Sequence, residues 1–482
     1  MSQNPLFQRR TLALLGLVVL TLYIATAAYH QLKPLPPGVD VAGPYRPVTS
    51  IEFLADATWL DSEGDQHTDQ VIFDTAFSMI ERAQSTAVAN FFLVNDFAGA
   101  TEAAHRPLSA QLTDALIERQ QRSDAFRAML VTDPFNTLYG GVEQPLFERL
   151  EAERVMVVPI ALERLRDSNP TWSALWRMCC QWFGNSPGGW LPNPVGEIPV
   201  SLRTYLTLLN FKANHRKTLI TDTDGVWQGL VTSGNPHDAS SRHRNIAVRF
   251  DGPAVADLLE TELAVAAWSD GPQWPMPDIA QASQSGVEAE LRVLTEASIL
   301  DAALAMIDAA GPGDELDMLM FYLSHRVIID ALVRAHERGS SVRVLLDANQ
   351  DAFGREKGGI PNRPVAAELE RAGLTVRWCR TAGEQCHAKL LMRRSADGRA
   401  ELLAGSANFT RRNLDNFNLE TNVQVRAPGD GDFMRDAGEF FDQRWTNTPD
   451  RHYSLPFEAH ADYSALRYWR YRLMEATGLS TF

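Results

Sequence analysis

Two short segments of this chain carry the same pair of basic side chains at the same spacing. "NHRKTLITD" places His215 two residues before Lys217, and "CHAKLLMRR" does the same with His387 and Lys389. Residues i and i+2 of a strand project from one face, so each segment presents an imidazole beside an ammonium group. Further on, Ser233 and Asn235 come after the first pair, and Ser406 and Asn408 after the second. Asn235 lies 20 residues after His215, and Asn408 lies 21 after His387. Between them, Asp224-Gly225 and Asp397-Gly398 are tight-turn dipeptides that accept positive φ. Each copy therefore reads as a hairpin with His and Lys on the outgoing strand and Ser and Asn at the end of the return strand. Two such hairpins facing each other would surround one phosphoryl group. The lysines would neutralise its non-bridging oxygens and the asparagine amides would hydrogen-bond them, while one imidazole attacks phosphorus and the other protonates the departing alkoxide. That chemistry calls for no metal and no cofactor, and no Cys-x-x-Cys or His-rich zinc spacing is present.

The elements that must position these residues are written twice. The first copy runs from "VIFDTAFSMIERAQSTAVANFFLVND" through "LTDALIERQQRSDAFRAMLVTDP" to its hairpin. The second runs from "SILDAALAMIDAAGPGDELDMLMFYLS" through "RVIIDALVRAHERGSSVRVLLDAN" and "VAAELERAGLTVRWC" to its own. Helical periodicity alternates with short apolar runs in both, the pattern of βα units around a mostly parallel sheet. The expected fold class is α/β, with two tandem α/β/α halves related by a pseudo-twofold axis and an N-terminal membrane helix.

"HRKTLITD" with "TSGN", and "CHAKLLMR" with "GSANFTRRN", resemble the two HKD motifs of the phospholipase D superfamily. The segment "RHRNIAVRFDGPAVADLLETELAVAAW" is similar to the stretch downstream of the first motif in bacterial cardiolipin synthases and related membrane phospholipases. The resemblance spans about Ile51 to Trp445. It implies a phosphohistidine intermediate and cleavage or exchange of a phosphodiester, with His215, Lys217, His387, Lys389, Asn235 and Asn408 as the acting groups.

Two departures from that pattern bear on the chemistry. Asp222 lies seven residues after His215, whereas the same place after His387 holds Arg394. An odd separation points to the opposite face of the strand, so this position is expected to support the fold, with Asp397 available for an equivalent contact from the second turn. Tyrosyl-DNA phosphodiesterases, which also belong to the superfamily, lack this Asp too. The second departure concerns the carboxylate that orients each histidine in the family. Glu420 in "NFNLETNVQV" matches that place for His387, and the first copy has Asn245. On that pairing Glu420 would raise the pKa of His387, making it the protonated general acid, while His215 rests neutral as nucleophile. Ser233, Ser406, Asn245 and Asp222 are expected to support the site.

The 482 residues are 45% hydrophobic with a net charge of −15, which suits a globular protein and disfavours a polyanionic partner such as nucleic acid. Behind Arg9 and Arg10, an uncharged run from Thr11 to Ala28 is close to the roughly 20 residues that cross a bilayer. It reads as an uncleaved anchor that leaves the body on the extracytoplasmic side. A cleaved signal peptide ending near Ala25-Thr26-Ala27 is the alternative. The chain then divides into tail and anchor (1–30), a proline-rich spacer (31–50), a first half (51–285) with a Trp-rich insertion (165–212), and a second half (286–482). Trp172, Trp176 and Trp182 or Phe183 recur near helical spacing, so that an interfacial helix and ordinary packing both fit. In "VTDPFNTLYGG", Asp133, Asn136 and Tyr139 sit at a strand end, either shaping a lipid pocket or closing a turn. Cys379 and Cys386 either pair or stay free as buried thiols, whereas Cys179 and Cys180 are adjacent and not expected to close on each other. The expected activity is that of a phosphatidyltransferase or phospholipase on glycerophospholipid at a membrane; a nuclease and a non-catalytic scaffold with a relic cleft are its rivals. Both half-sites lie in one chain, so the sequence carries no signal of oligomeric state.

Overall fold

The computed structural model describes residues 5–97, 105–279, 286–352, 355–356, 358–480 and 482. The chain enters through α1 (Pro5–Leu32), then β1 (Arg46–Val48), β2 (Ile51–Ala55) and a small hairpin of β3 (Ala57–Leu60) and β4 (Gln66–Asp69). Next come α2 (Ile72–Arg82), β5 (Ala83–Phe91), α3 (Leu108–Gln121), β6 (Arg127–Thr132), α4 (Pro145–Ala152) and β7 (Met156–Pro159). The insertion contributes α5 (Pro170–Cys179) and α6 (Leu202–Leu208). The first half closes with the hairpin β8 (Lys217–Thr223) and β9 (Val226–Thr232), then β10 (Ile246–Asp251) and α7 (Ala254–Trp268). The second half opens with β11 (Ala289–Thr295), α8 (Ala297–Asp308), β12 (Glu315–Met320), α9 (Arg326–Glu337) and β13 (Ser341–Leu346). A short ribbon of β14 (Asp351–Ala352) and β15 (Arg355–Glu356) precedes α10 (Asn362–Arg371) and β16 (Thr375–Cys379). The second hairpin, β17 (Lys389–Arg394) and β18 (Arg399–Gly405), leads to α11 (Arg411–Leu414) and β19 (Thr421–Pro428). Finally come α12 (Asp432–Thr446), β20 (Ser454–Pro456) and α13 (Ala465–Thr477).

The duplication is visible in the strand order. The first sheet runs β2-β10-β9-β8-β5-β6-β7; the second contains β11-β19-β18-β17-β12-β13-β16, flanked by β1 and β20. Position by position the two orders are the same. The trios β5-β6-β7 and β12-β13-β16 are parallel, and the remaining pairs are antiparallel in both sheets. Both faces of each sheet are covered, which is why these strands read as near-continuous apolar runs. Leu219 packs with the outer helices while Ile220 faces the inter-sheet core, and Leu391 and Leu390 divide the same way. One apolar cluster joins the sheets, with Val88 and Val248 from the first, Leu402 and Val425 from the second, and Leu258 and Phe440 from α7 and α12.

The segment expected as a free spacer is bonded into the body. Gly43 N–H donates to Val293 O (2.9 Å) and β1 pairs with β11 as an edge strand of the second sheet. Pro37 O accepts from Trp268 Nε1 of the first half (3.1 Å), so this stretch ties the halves together. Within α1, Arg9–Leu32 is long and apolar enough to cross a membrane and stands unburied along its apolar window. The end of α1 touches the body: Tyr23 Oη donates to Thr171 O (2.8 Å) and His30 O accepts from Asp167 N (3.0 Å).

The Asp222/Arg394 difference resolves as a reversal of polarity. Asp222 accepts N–H bonds from Gln84, Ser85 and Thr86 at the start of β5 (2.8–3.1 Å). In the second half the carboxylates sit on the β12 side and the cations on the hairpin. Arg394 reaches Glu315 (2.9 Å) and Asp317 (2.6 Å), and Arg393 reaches Asp314 (2.9 Å). Asp397 does not substitute for Asp222 as expected; it pairs with its neighbour Arg399 at the exposed turn. Asp222→Ala should therefore lower thermal stability by about 1–3 kcal/mol, because three strand N–H groups lose their acceptor. Asp397→Ala should leave the melting temperature of the detergent-solubilised protein unchanged.

Candidate active site

Each histidine precedes a central strand and is held there by the other half of the molecule. His215 N–H donates to Leu419 O (2.9 Å), and Leu419 N–H returns to Ala213 O (3.1 Å). Reciprocally, His387 N–H donates to Arg244 O (2.9 Å), and Arg244 N–H returns to Gln385 O (3.0 Å). The residues that open β10 and β19 thus reach across the interface and bring their polar neighbours with them. His215 Nδ1 meets Glu420 at 2.8 Å, and His387 Nδ1 meets Asn245 Oδ1 at 3.0 Å.

This crossing corrects the pairing expected from linear order, in which Glu420 served its own half's His387. Ser406 Oγ and Asn413 Nδ2 hold Glu420, while Ser233 Oγ donates to Asn245 Oδ1 (3.1 Å). Both serines buttress the histidine partner, one in each half. Asn245 Nδ2 donates to His243 O (3.2 Å), which leaves Oδ1 to accept the His387 Nδ1–H. Both rings are thereby fixed in the tautomer that directs a free Nε2 away from the support.

His215, His387, Asn235 and Asn408 line one cavity of about 420 Å³. Asn235 Oδ1 accepts from Leu93 N (3.2 Å), whereas Asn408 Oδ1 is buried with no hydrogen-bond partner among the described residues. The lysines are buried beside the histidines and are not among the residues that line the cavity. Lys217 Nζ donates to His215 O (2.8 Å) and Lys389 Nζ to His387 O (2.6 Å), each within its own half. Aromatic rings enclose them symmetrically: Phe92 lies 5.4 Å from the His215 ring and under Lys217, and Phe321 lies 5.0 Å from the His387 ring and under Lys389. These two phenylalanines escaped the reading of the sequence, although both come directly after the first core strand of their copy, where aligning the repeats would have exposed them. Also unforeseen are His243, with its ring 5.8 Å from His387, and Arg412, both in the cavity wall.

Burial dominates the electrostatics. It lowers His215 to about 4 despite Glu420. His387 is driven well below its usual range by burial and by Lys389 and His243. The expectation that His387 rests protonated is therefore corrected: among the described residues no carboxylate contacts its ring, and burial and the basic groups around it disfavour its charge. Lys217 falls to about 7 and Lys389 well below its normal value, again chiefly through desolvation. By itself the cleft holds four bases whose affinity for protons is lowered by burial.

Asp133, Asn136 and Tyr139 divide between the two readings of their loop. Asp133 accepts from Asn214 N and Phe135 N (both 2.7 Å), and Asn136 cross-braces Val94 and Phe92, so both close the turn. Tyr139 lines the cleft. In the insertion, α5 ends at Cys179, so Trp182 and Phe183 lie beyond the helix. Trp176 is buried, Trp172 Nε1 donates to Leu206 O (2.9 Å), and Trp182 and Phe183 are exposed. Cys379 and Cys386 are bonded, and so, contrary to expectation, are the adjacent Cys179 and Cys180.

Residues 303–445 match the family described as cardiolipin synthase, PLD-like domain. Over that segment the chain is similar to a phospholipase D-like domain. The matched region holds the whole second hairpin, and the sheet of the first half repeats the strand order of the sheet that holds it. No curated protein matches the chain in sequence. Among solved structures, phosphatidylserine synthase from Haemophilus influenzae Rd KW20 shares the fold, at 10% identity and a TM-score of 0.55 over 91% of this chain and 96% of that one. Weaker overlaps, which carry no argument, are with polyphosphate kinase from Porphyromonas gingivalis and with the phospholipase D family member Nuc from Salmonella typhimurium. The first has 12% identity, a TM-score of 0.45 and coverage of 89% and 53%; the second has 21%, 0.27 and coverage of 34% and 99%.

An anion entering this phospholipase D-like cleft should draw protons in, because it raises the affinity of the buried lysines and imidazoles for them. Tungstate binding should therefore show net proton uptake near and above pH 7, the value about which free Lys217 titrates, and should weaken as pH rises further. Calorimetry in buffers of different ionisation heat reads this directly; heats that do not depend on the buffer would mean the lysines are already charged.

Proposed function

We propose that the cleft cleaves the phosphodiester of a glycerophospholipid through a phosphohistidine. The observation that carries this is the convergence of His215 and His387 on one cavity, each locked at Nδ1 by the opposite half. His215 is the nucleophile. When its Nε2 bonds to phosphorus the ring becomes cationic, and Glu420 stabilises that charge at Nδ1. His387 is the general acid. The bound phosphate supplies the negative charge that keeps a proton on its Nε2, and with only neutral Asn245 behind it the ring gives the proton up readily. As the His215–phosphorus bond forms, the bond from phosphorus to the leaving oxygen breaks and that oxygen takes the His387 proton. In the second step neutral His387 removes a proton from water or an alcohol, whose oxygen attacks phosphorus and releases His215. Lys217 and Lys389 offset charge on the non-bridging oxygens, and Asn235 and Asn408 hydrogen-bond them.

A lipid substrate is favoured by the cardiolipin synthase description of the matching family and by the apolar α1, which we read as an anchor. The exposed Trp182 and Phe183 near the cleft favour the same substrate. The positive-inside tendency of Arg9 and Arg10 places the body on the extracytoplasmic side. An alcohol such as the glycerol of phosphatidylglycerol resolves the phosphohistidine in a transferase, and water does so in a hydrolase. Labelled phosphatidylglycerol with and without added alcohol separates the two, since phosphatidic acid as the sole product under both conditions rules out transfer. His215→Ala should abolish turnover, by roughly a thousandfold or more. His387→Ala should slow turnover and leave label from the substrate phosphate on His215. Label on His387 in a His215→Ala protein would reverse the assignment, and a salt-sensitive DNA shift with no lipid turnover would favour a nuclease.

A further inference from the structure

A second cavity, of about 660 Å³, lies against the cleft and shares Tyr139 and Lys212 with it. Its floor is the loops leaving the C-terminal ends of β6 and β7, where parallel α/β sheets seat ligands. Its roof is the insertion: α5, the turn after it, and α6. Arg177, Lys212 and Arg203 line it against a single lining carboxylate, Glu163. Arg177 and Lys212 are compensated from behind, because both bind Asp167. Arg203 is different. Its guanidinium pairs with no carboxylate among the described residues; it donates to Cys180 O and Gln181 O and lies 4.5 Å over the Trp176 ring. The bonded pair Cys179–Cys180 is part of the turn that supplies those carbonyls, so Arg203 is held in place while its charge stays unneutralised. At the cavity rim Trp182 is 75% and Phe183 67% exposed, and the roof helix α5 is the element against which the end of α1 docks. An uncompensated guanidinium, an apolar rim and contact with a membrane-length helix together describe a seat for a phosphate that carries acyl chains.

We propose that this cavity binds a second, anionic glycerophospholipid, the acceptor alcohol of the transfer step. Arg203 holds its phosphate, Trp182 and Phe183 meet its chains, and its headgroup hydroxyl reaches the cleft past Tyr139 and Lys212. The inference rests on the reading of the cleft as a lipid phosphotransfer site, so binding is measured apart from turnover. The full-length His215→Ala protein in detergent is titrated calorimetrically with dihexanoyl phosphatidylglycerol, dihexanoyl phosphatidylcholine and glycerol 1-phosphate. Two molecules of phosphatidylglycerol should bind, and Arg203→Ala should weaken one of them about tenfold, with Arg203→Lys recovering part of the loss. Phosphatidylcholine should not fill the second place, because its headgroup carries no net charge. Since Arg203 also braces its turn, the exposed Phe183→Ala serves as a second variant, and it should weaken phosphatidylglycerol while leaving glycerol 1-phosphate unaffected. In the protein with His215 intact, Arg203→Ala should lower the ratio of transfer to hydrolysis about tenfold. A single bound phosphatidylglycerol, a second one indifferent to Arg203, or equal filling by phosphatidylcholine would overturn the site. Arg203-dependent binding of two molecules with hydrolysis but no transfer would overturn the acceptor role. If the cleft reading itself fails, phosphatidylglycerol will not be turned over by any route even though its binding still depends on Arg203.

Discussion

The reciprocal crossing of the two halves is the constraint on which the rest of the site depends. Neither hairpin supplies the Nδ1 partner of its own histidine. Backbone bonds from Leu419 and Arg244 seat the imidazoles, and Glu420 and Asn245 fix their tautomers. A half-molecule alone would keep the strand that carries the His and Lys but lose the groups that aim the ring. Both halves, the strap formed by residues 37–48 and the shared apolar layer between the sheets are therefore parts of one site geometry.

Given that symmetry, the single difference at the Nδ1 partners matters most. A carboxylate on one ring and an amide on the other turn two equivalent imidazoles into two with opposite preferences, one favouring a cationic ring and the other a ready proton donor. Burial sets the baseline by lowering the proton affinity of both rings and both lysines in the protein alone. A bound anion would favour their charged forms. Stabilisation of an anion in such a place is large because few water molecules compete.

The support layer shows how duplicated halves diverge without losing a fold. At the hairpin–core junction the first half uses an acid on the hairpin and strand N–H donors, and the second uses arginines on the hairpin and acids on the strand side. The complementarity survives with its sign reversed. A search for one residue at one position finds a gap there, whereas the contact itself is intact.

The α/β class, the doubling of the chain, both His-Lys pairs, their Ser and Asn sequels and the apolar N-terminal run were all legible in the linear order. Each rests on short-range periodicity or on a motif written twice. What lay outside that order was which half serves which histidine. Glu420 was attached to His387 by nearness in sequence, yet it lies 205 residues from His215, the ring it contacts. Bonding of the adjacent cysteines and the docking of the presumed spacer were likewise decided by backbone placement. The protonation of His387 was decided by how deeply it and the lysines around it are buried. Sequence spacing determines which face of a strand a residue occupies; only the packing of one half against the other determines what that face meets and how much water remains there.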